Sequence, residues 1–437
     1  MKKIKYLFII GAIIFTVNCT NKCEGIASYP ADMANITPVY LSYDEYRTSI
    51  SSEAPREIKY AGKIYVYANY ILINEKYRGI HIIDYSDPAS PQNISFINIP
   101  GNIDMAVKNN ILYADSYIDL VVIDISNKQN IQILSRVNNI FPYKTYQKIN
   151  DYIYEAEYYG ETDETKGVIT EWKEEYSDPG FYSNEECDGY MIAESMDSGN
   201  PKGGNTGKAG SMARFNITGN NADGYYLYAV NNESLKIINI NDPSNPVKEN
   251  EISLGWGIET IFNYQNMLFI GSQTGMKIYD ISNKTLPVFL SEFAHVQSCD
   301  PVIVSGIYAF VTLRGGTSCR NSINQLDLID ISDPTNPVLL KTYAMYNPHG
   351  LSKDNDILFI AEGEGGLKVF DVSIPEDLKL IKFVEGFHAY DIIATNNTAI
   401  VTGNNGLYLF DYSNTSNITL ISQINATGTV PEELNGF

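Results

Sequence analysis

One phrase keeps returning down this chain: a short apolar run ending in Asp, then a polar turn, then apolar sequence again. In residues 79–97 it reads GIHIIDYSDPASPQNISFI. Its copies are LVVIDIS (120–126), LKIININ (235–241), MKIYDIS (276–282), LDLIDIS (326–332), LKVFDVS (367–373) and LYLFDYS (407–413). The anchor residues are therefore Asp84, Asp124, Asn239, Asp280, Asp330, Asp371 and Asp411, and most neighbours lie 40 or 41 residues apart. A fixed period of this size belongs to propellers, solenoids or arrays, which let 437 residues grow by repetition where a single core would stop growing.

Each unit reads as four short strands. In the second, DMAVK (104–108), ILYADS (111–116), LVVIDI (120–125) and IQILSRV (131–137) are separated by turn residues. Third strands such as LVVID are apolar on both faces, as expected where a sheet is covered on each side by its neighbours. Four strands at this period fit a propeller blade. The 115 residues between Asp124 and Asn239 are long enough for two units. Within them, residues 146–172 resemble a decayed copy with Trp172 at the anchor position. The expectation is an all-β propeller of eight blades, with seven as the alternative.

The turns have a chemical reading of their own. In SDPASP (86–91), NDPSNP (241–246) and SDPTNP (332–337), Asp and Pro take the first and second positions of a type I turn. Anchors such as Asp84 stand just upstream, where a carboxylate accepts hydrogen bonds from the turn amides and ties the third strand to the fourth. This role accounts for the repeated Asp without a bound cation.

The copies LVVIDIS, LDLIDIS and LKVFDVS resemble the bacterial LVIVD-repeat proteins, over about residues 38–424 and including GKIYVY (62–67) before the first copy. The resemblance implies a β-propeller on an exported protein, with no activity attached to the motif. Asn239 and the Trp172 copy depart from the pattern.

The N-terminus points the same way. Lys2, Lys3 and Lys5 precede an apolar run from Tyr6 to Val17, too short for an ordinary membrane span, and the run ends at Cys19. This resembles the lipobox of bacterial lipoproteins, although Thr16 and Asn18 replace its usual Leu and its Gly or Ala. Residues 1–18 are then a signal peptide, Cys19 the lipidated residue, 19–56 a linker, 57–425 the propeller and 426–437 a tail. With Cys19 set aside, an even number of cysteines remains. Cys299 and Cys319 flank one predicted hairpin and are the expected disulfide, with Cys23 and Cys187 left over. The expected location is the cell envelope, periplasmic or outer-membrane, with the lipid reaching into the membrane.

A net charge of −21 and a pI near 4.6 exclude a nucleic-acid binder, because phosphate binding depends on Lys and Arg displacing counterions. Residues 173–211 break the repeat with acidic and then glycine-rich sequence. Their GGNTGKAGS lacks the Ser or Thr after Lys208 and the flanking strand and helix of a phosphate loop, and reads as a flexible linker or lid.

Aligning the first strands places Asp104, Glu259, Asp300 and Asp391 at nearly one repeat phase, the start of the strand that lines a propeller channel. His295, His349 and His388 fall within five residues of that phase. Such a ring is a candidate site for a divalent cation, carboxylates suiting calcium or magnesium and imidazoles suiting transition metals. Arg214 and Arg314 lie in or near other inner strands and would neutralise part of it. No G-x-S-x-G elbow or triad spacing supports nucleophilic catalysis. The functional expectation is a binding or interaction platform for an envelope or extracellular protein or a small ligand. The alternative is a metal-dependent propeller enzyme, of hydrolase or lactonase type, working at the channel.

Overall fold

A computed structural model of the chain describes residues 34–149, 151–156, 161–176, 207–295, 301–315 and 323–428. Seven four-stranded antiparallel sheets follow one another, spanning 61–98, 105–137, 215–253, 258–294, 302–344, 351–384 and 389–425. They are blades 1 to 7 of a propeller. Blade 2 shows the common plan, with strands Met105–Lys108, Ile111–Ser116, Asp119–Asp124 and Gln132–Val137 running in order from the inner to the outer edge.

The repeat explains the packing. Five of the six residues are buried in the third strands Gly79–Asp84, Asp119–Asp124, Ser234–Asn239 and Gly406–Asp411. An apolar side chain on either face meets the neighbouring blade, and each fully buried Leu or Ile contributes about 1.5–3 kcal/mol. At the end of these strands the anchor oxygen accepts from the amide two residues on. The distances are 2.9 Å for Asp84 and Ser86, 2.7 Å for Asp124 and Ser126, 3.1 Å for Asn239 and Asn241, and 2.6 Å for Asp280 and Ser282. Asp330, Asp371 and Asp411 do the same for Ser332, Ser373 and Ser413, at 2.8, 2.8 and 2.7 Å. Since strands alternate in direction, all the anchors lie on the face where inner strands end. The face where they begin, here the entry face, carries the connections from one blade to the next.

Blade 7 closes against blade 1. Ile64, Ile71 and Ile73 share an apolar cluster with Ile393, Ile400 and Leu409. The amides of Thr427 and Gly428 donate to the carbonyls of Ile58 and Lys59 at 2.9 and 3.0 Å, so the two ends of the ring are stitched by backbone bonds.

The ring has seven blades, and the expected eighth is absent. Residues 146–176 form a hairpin, Tyr146–Ile149 with Tyr152–Glu155, and a separate strand, Val168–Tyr176. That strand pairs antiparallel with Ala34–Leu41, placing Pro38 opposite Trp172. The physical reason is a long-range partner: the strand carrying Trp172 is taken up by Ala34–Leu41, and the Trp172 amide and carbonyl are held by the Gln147 side chain at 3.2 and 3.0 Å.

That segment was expected to be linker, yet from residue 34 it is folded onto the ring. Ser42 and Glu45 form a capping box on the helix Tyr43–Thr48. From this helix the buried Tyr46 donates to Asp119 at 2.9 Å, joined there by Arg47 at 2.7 Å and Arg136 at 3.1 Å. Ser51–Glu53 then adds a strand to the outer edge of blade 1.

Candidate functional site

A segment of the chain itself enters the central channel. Leaving the insertion, Lys208–Ala209 pairs antiparallel with Tyr65–Val66 on the inner edge of blade 1. The amides of Gly207 and Gly210 donate to the carbonyls of Val107 and Ile64, both at 3.1 Å. Lys208 Nζ donates to the carbonyl of Ala394 in blade 7 at 2.6 Å. Ser211 donates its amide to Asp391 Oδ1 at 2.9 Å, and its hydroxyl accepts from the amide of Leu351 in blade 6. Residues 207–214 thereby touch the inner strands of blades 1, 2, 6 and 7. The end of the segment read as a flexible linker or lid is a buried plug.

A glycine makes the approach possible. A Cβ at Gly210 would collide with Asp391 Oδ2, so only a residue without a side chain lets the plug backbone lie against this carboxyl.

Two of the expected carboxylates, Asp104 and Asp391, are bonded within this arrangement. Asp104 Oδ2 accepts from Lys63 Nζ at 2.6 Å and from the amide of Arg214, and Lys63 and Asp104 are both buried. Lys63 lies 41 residues before Asp104, at the same repeat phase in blade 1, so the period itself held the signal that would have found it. Around the mouth, successive blades present Lys63, Asp104, Arg214 and Glu259. Asp391 Oδ1 accepts from Ser211 and from the amide of Ile392 at 2.8 Å, whereas its Oδ2 has no hydrogen-bond partner among the described residues. Burial pushes the Asp391 carboxyl up to about 7. Nearby, Asp115 is likewise raised to about 7 by burial, despite amide donors from Ile103 and Asp104 at 2.8 and 2.9 Å.

The three histidines separate. His295 follows the outermost strand of blade 4, seven residues before the next inner strand, and its amide donates to the carbonyl of Thr274 at 3.1 Å. His349 and His388 precede the inner strands of blades 6 and 7, with ring centroids 5.7 Å apart. Tyr390 packs on His388 at 4.3 Å and on His349 at 5.7 Å. Both imidazoles are shifted towards the neutral form, His349 by burial, then Arg314 and His388, and His388 by burial, opposed by Glu364 and aided less by Arg314. His349 Nε2 and His388 Nδ1 are buried without a hydrogen-bond partner among the described residues.

Glu362 sets the loop beside them. Fully buried between the second and third strands of blade 6, it accepts from the amides of Tyr346 and Asn347 at 2.8 and 2.7 Å and from Lys368 at 2.8 Å. Sequence reading missed it, since nothing in EGEGG marks which carboxylate turns inward.

Among the described residues, no group of three or more His, Cys, Asp or Glu side chains is placed to hold a metal ion. Asp300 and the cysteines Cys19, Cys23, Cys187, Cys299 and Cys319 lie outside the described residues.

Comparison with known proteins adds the following. No curated protein matches the chain. Among solved structures, the periplasmic gluconolactonase PpgL from Pseudomonas aeruginosa is similar with a TM-score of 0.51 and 10% identity, covering 84% of this chain and 96% of that one. A functionally unknown protein from Desulfotomaculum acetoxidans gives 0.49 and 12%, covering 83% and 98%. BamB from Moraxella catarrhalis gives 0.45 and 7%, covering 86% and 97%. Identities this low concern the fold alone. The LVIVD repeat model matches residues 58–97, 103–139, 221–251, 261–294, 298–345 and 388–426, more than half of the chain. With the Asp-anchored blades and the matched repeats together, the chain belongs to the LVIVD-repeat family.

Proposed function

We propose that the chain is an exported, lipid-anchored β-propeller that binds a protein or small-ligand partner at the bacterial cell envelope. One observation carries the reading: residues 207–214 enter the channel and take up Asp104 and Asp391, so those carboxylates are already engaged and recognition falls to the surface around the mouth. On the entry face the loops between blades present Trp256 and Tyr346, 57% and 59% exposed. Large exposed aromatics combine apolar area with a polar tip and suit a recognition surface. The basic and then apolar N-terminus ending at Cys19 supports export and anchoring.

The metal-dependent hydrolase or lactonase reading has less behind it. It needs channel carboxylates turned to a cation, and Asp104 is instead paired with Lys63.

The test uses full-length protein in a bacterial host. Fatty-acid label should appear in the membrane fraction and vanish in Cys19→Ala; a label that persists removes the anchor from Cys19. Capture from envelope extract should fall in the double variant Trp256→Ala, Tyr346→Ala, and unchanged capture removes the entry face. Turnover of a lactone or ester that is lost in Asp391→Asn would replace binding by catalysis.

A further inference from the structure

We propose that Arg314, His349, His388 and Asn347 form a binding site for a small organic carboxylate on the entry face, where blades 5, 6 and 7 meet. The inference rests on the binding reading above and gives it a ligand class.

The geometry supplies donors that lack acceptors. Arg314 directly follows the second strand of blade 5, and among the described residues no hydrogen bond or ion pair reaches its guanidinium. Burial depresses its basicity, against smaller opposing pulls from Glu259 and Tyr390. The nearest charges of opposite sign are Glu259 towards Arg314 and Glu364 towards His388, and neither forms an ion pair within 4.0 Å of that neighbour. His349 is only 7% exposed, and its Nε2 is unpartnered. Leaving a buried polar group unsatisfied costs roughly 1–3 kcal/mol, so the unpartnered His349 Nε2 and His388 Nδ1 beside this guanidinium call for an explanation.

A glycine marks where the donors converge. Gly363 has a positive φ of 53°, and a Cβ built on it would stand 2.5 Å from Asn347 Nδ2 and 2.8 Å from His349 Nε2. Two polar nitrogens from one loop therefore aim at a spot that any side chain at position 363 would block. The loop is fixed in place by Glu362, which holds the Tyr346 and Asn347 amides.

The chemistry of the set selects the ligand. A guanidinium offers a planar fork matched to a carboxylate, and neutral imidazole and amide N–H groups add single donors. The one arginine has no lysine beside it in the cluster, and a chain of net charge −21 disfavours a multiply charged phosphate. A metal cation is disfavoured by the guanidinium itself. Tyr390, packed edge-on or tilted against both imidazoles, and the exposed Tyr346 supply apolar area for the ligand's organic part.

The chain has four histidines, which makes imidazole NMR a direct readout. Full-length protein labelled with 15N-histidine is titrated at pH 7 with acetate and benzoate, and with acetamide and benzamide as uncharged controls. His349 and His388 signals should move saturably with at least one carboxylate, while His81 and His295 stay in place. Arg314→Gln should weaken the response about tenfold or more, the loss expected for a charge-assisted hydrogen bond. If that variant fails to fold, Asn347→Ala must weaken it instead. No saturable shift up to about 50 mM, well above the range of a millimolar site, overturns the proposal. So does an equal response to the amides or to inorganic phosphate, or a response unchanged in the folded variants. Because the titration uses purified protein, it is blind to location: a failed fatty-acid label would leave the site standing, and a failed titration would leave the anchor standing.

Discussion

Two parts of the entry face treat buried charge in opposite ways. At the channel mouth, Lys63 meets Asp104 at 2.6 Å, and the plug delivers the Ser211 and Arg214 amides to Asp391 and Asp104. At the junction of blades 5 to 7, the Arg314 guanidinium has no hydrogen bond or ion pair among the described residues, and His349 Nε2 and His388 Nδ1 beside it are buried without a partner. A buried ion pair with its hydrogen bonds made is construction, because removing either partner leaves an uncompensated charge. Buried donors without acceptors point outward, to something the chain does not supply.

The largest expected effect breaks the first half of that contrast. Lys63→Met leaves Asp104 buried without its cation and should lower stability to urea by about 3–5 kcal/mol. Arg314→Met removes a cation that has no pair, so its change should stay within about 1 kcal/mol. Equal losses from the two substitutions would erase the distinction between the regions.

Protonation offers a second handle. A carboxyl whose pKa is higher in the folded than in the unfolded state binds its proton more tightly when native. Asp391 and Asp115, both raised to about 7, therefore favour the native state most at low pH, and that contribution is lost as pH rises from about 4 through 7. Asp391→Asn keeps an acceptor for Ser211 and carries no charge at the unpartnered oxygen. Unfolding at pH 8 should show it more stable than wild type by about 1–3 kcal/mol. The downward slope between pH 4 and 7 should shrink without vanishing, since Asp115 remains. A variant with the full wild-type slope would show that Asp391 does not titrate in this range.

The smallest effect belongs to the anchors. Asp124→Ala loses the 2.7 Å bond from the Ser126 amide at a turn repeated in every blade and should cost about 1 kcal/mol in thermal or urea unfolding. It should leave the imidazole signals of His349 and His388 unchanged, since the anchors lie on the opposite face of the ring. Movement of those signals would mean that the two faces are coupled.

The parts of the fold that were readable share one property: their bonds are local. Each anchor accepts from an amide two residues away, and third strands are mostly apolar, on both faces in LVVID, so strand, turn and return are written within about a dozen residues. Counting blades went wrong at Trp172 because strand-forming sequence there matches the pattern, while the partner that decides its fate, Ala34–Leu41, lies far away in the chain. Lys63 was within reach, since the 41-residue phase that marked Asp104 also marks it. Glu362 and the junction of Arg314 with His349 and His388 were only half legible: the residues stood near a common phase, but which of them turn inward depends on loop backbone.

From sequence alone came the repeat, the blade, the Asp turn and the family, because periodicity and turn chemistry act over short spans. Only the tertiary structure closed the ring at seven, by pairing Thr427 and Gly428 with Ile58 and Lys59. Only it placed Gly207 to Arg214 inside the channel, through bonds that join residues 100 to 186 positions apart. Glycine and serine carry no signature of such distant partners. What fixes them there is the shape of the space left by seven inner strands and the buried carboxyls that needed amide donors within it.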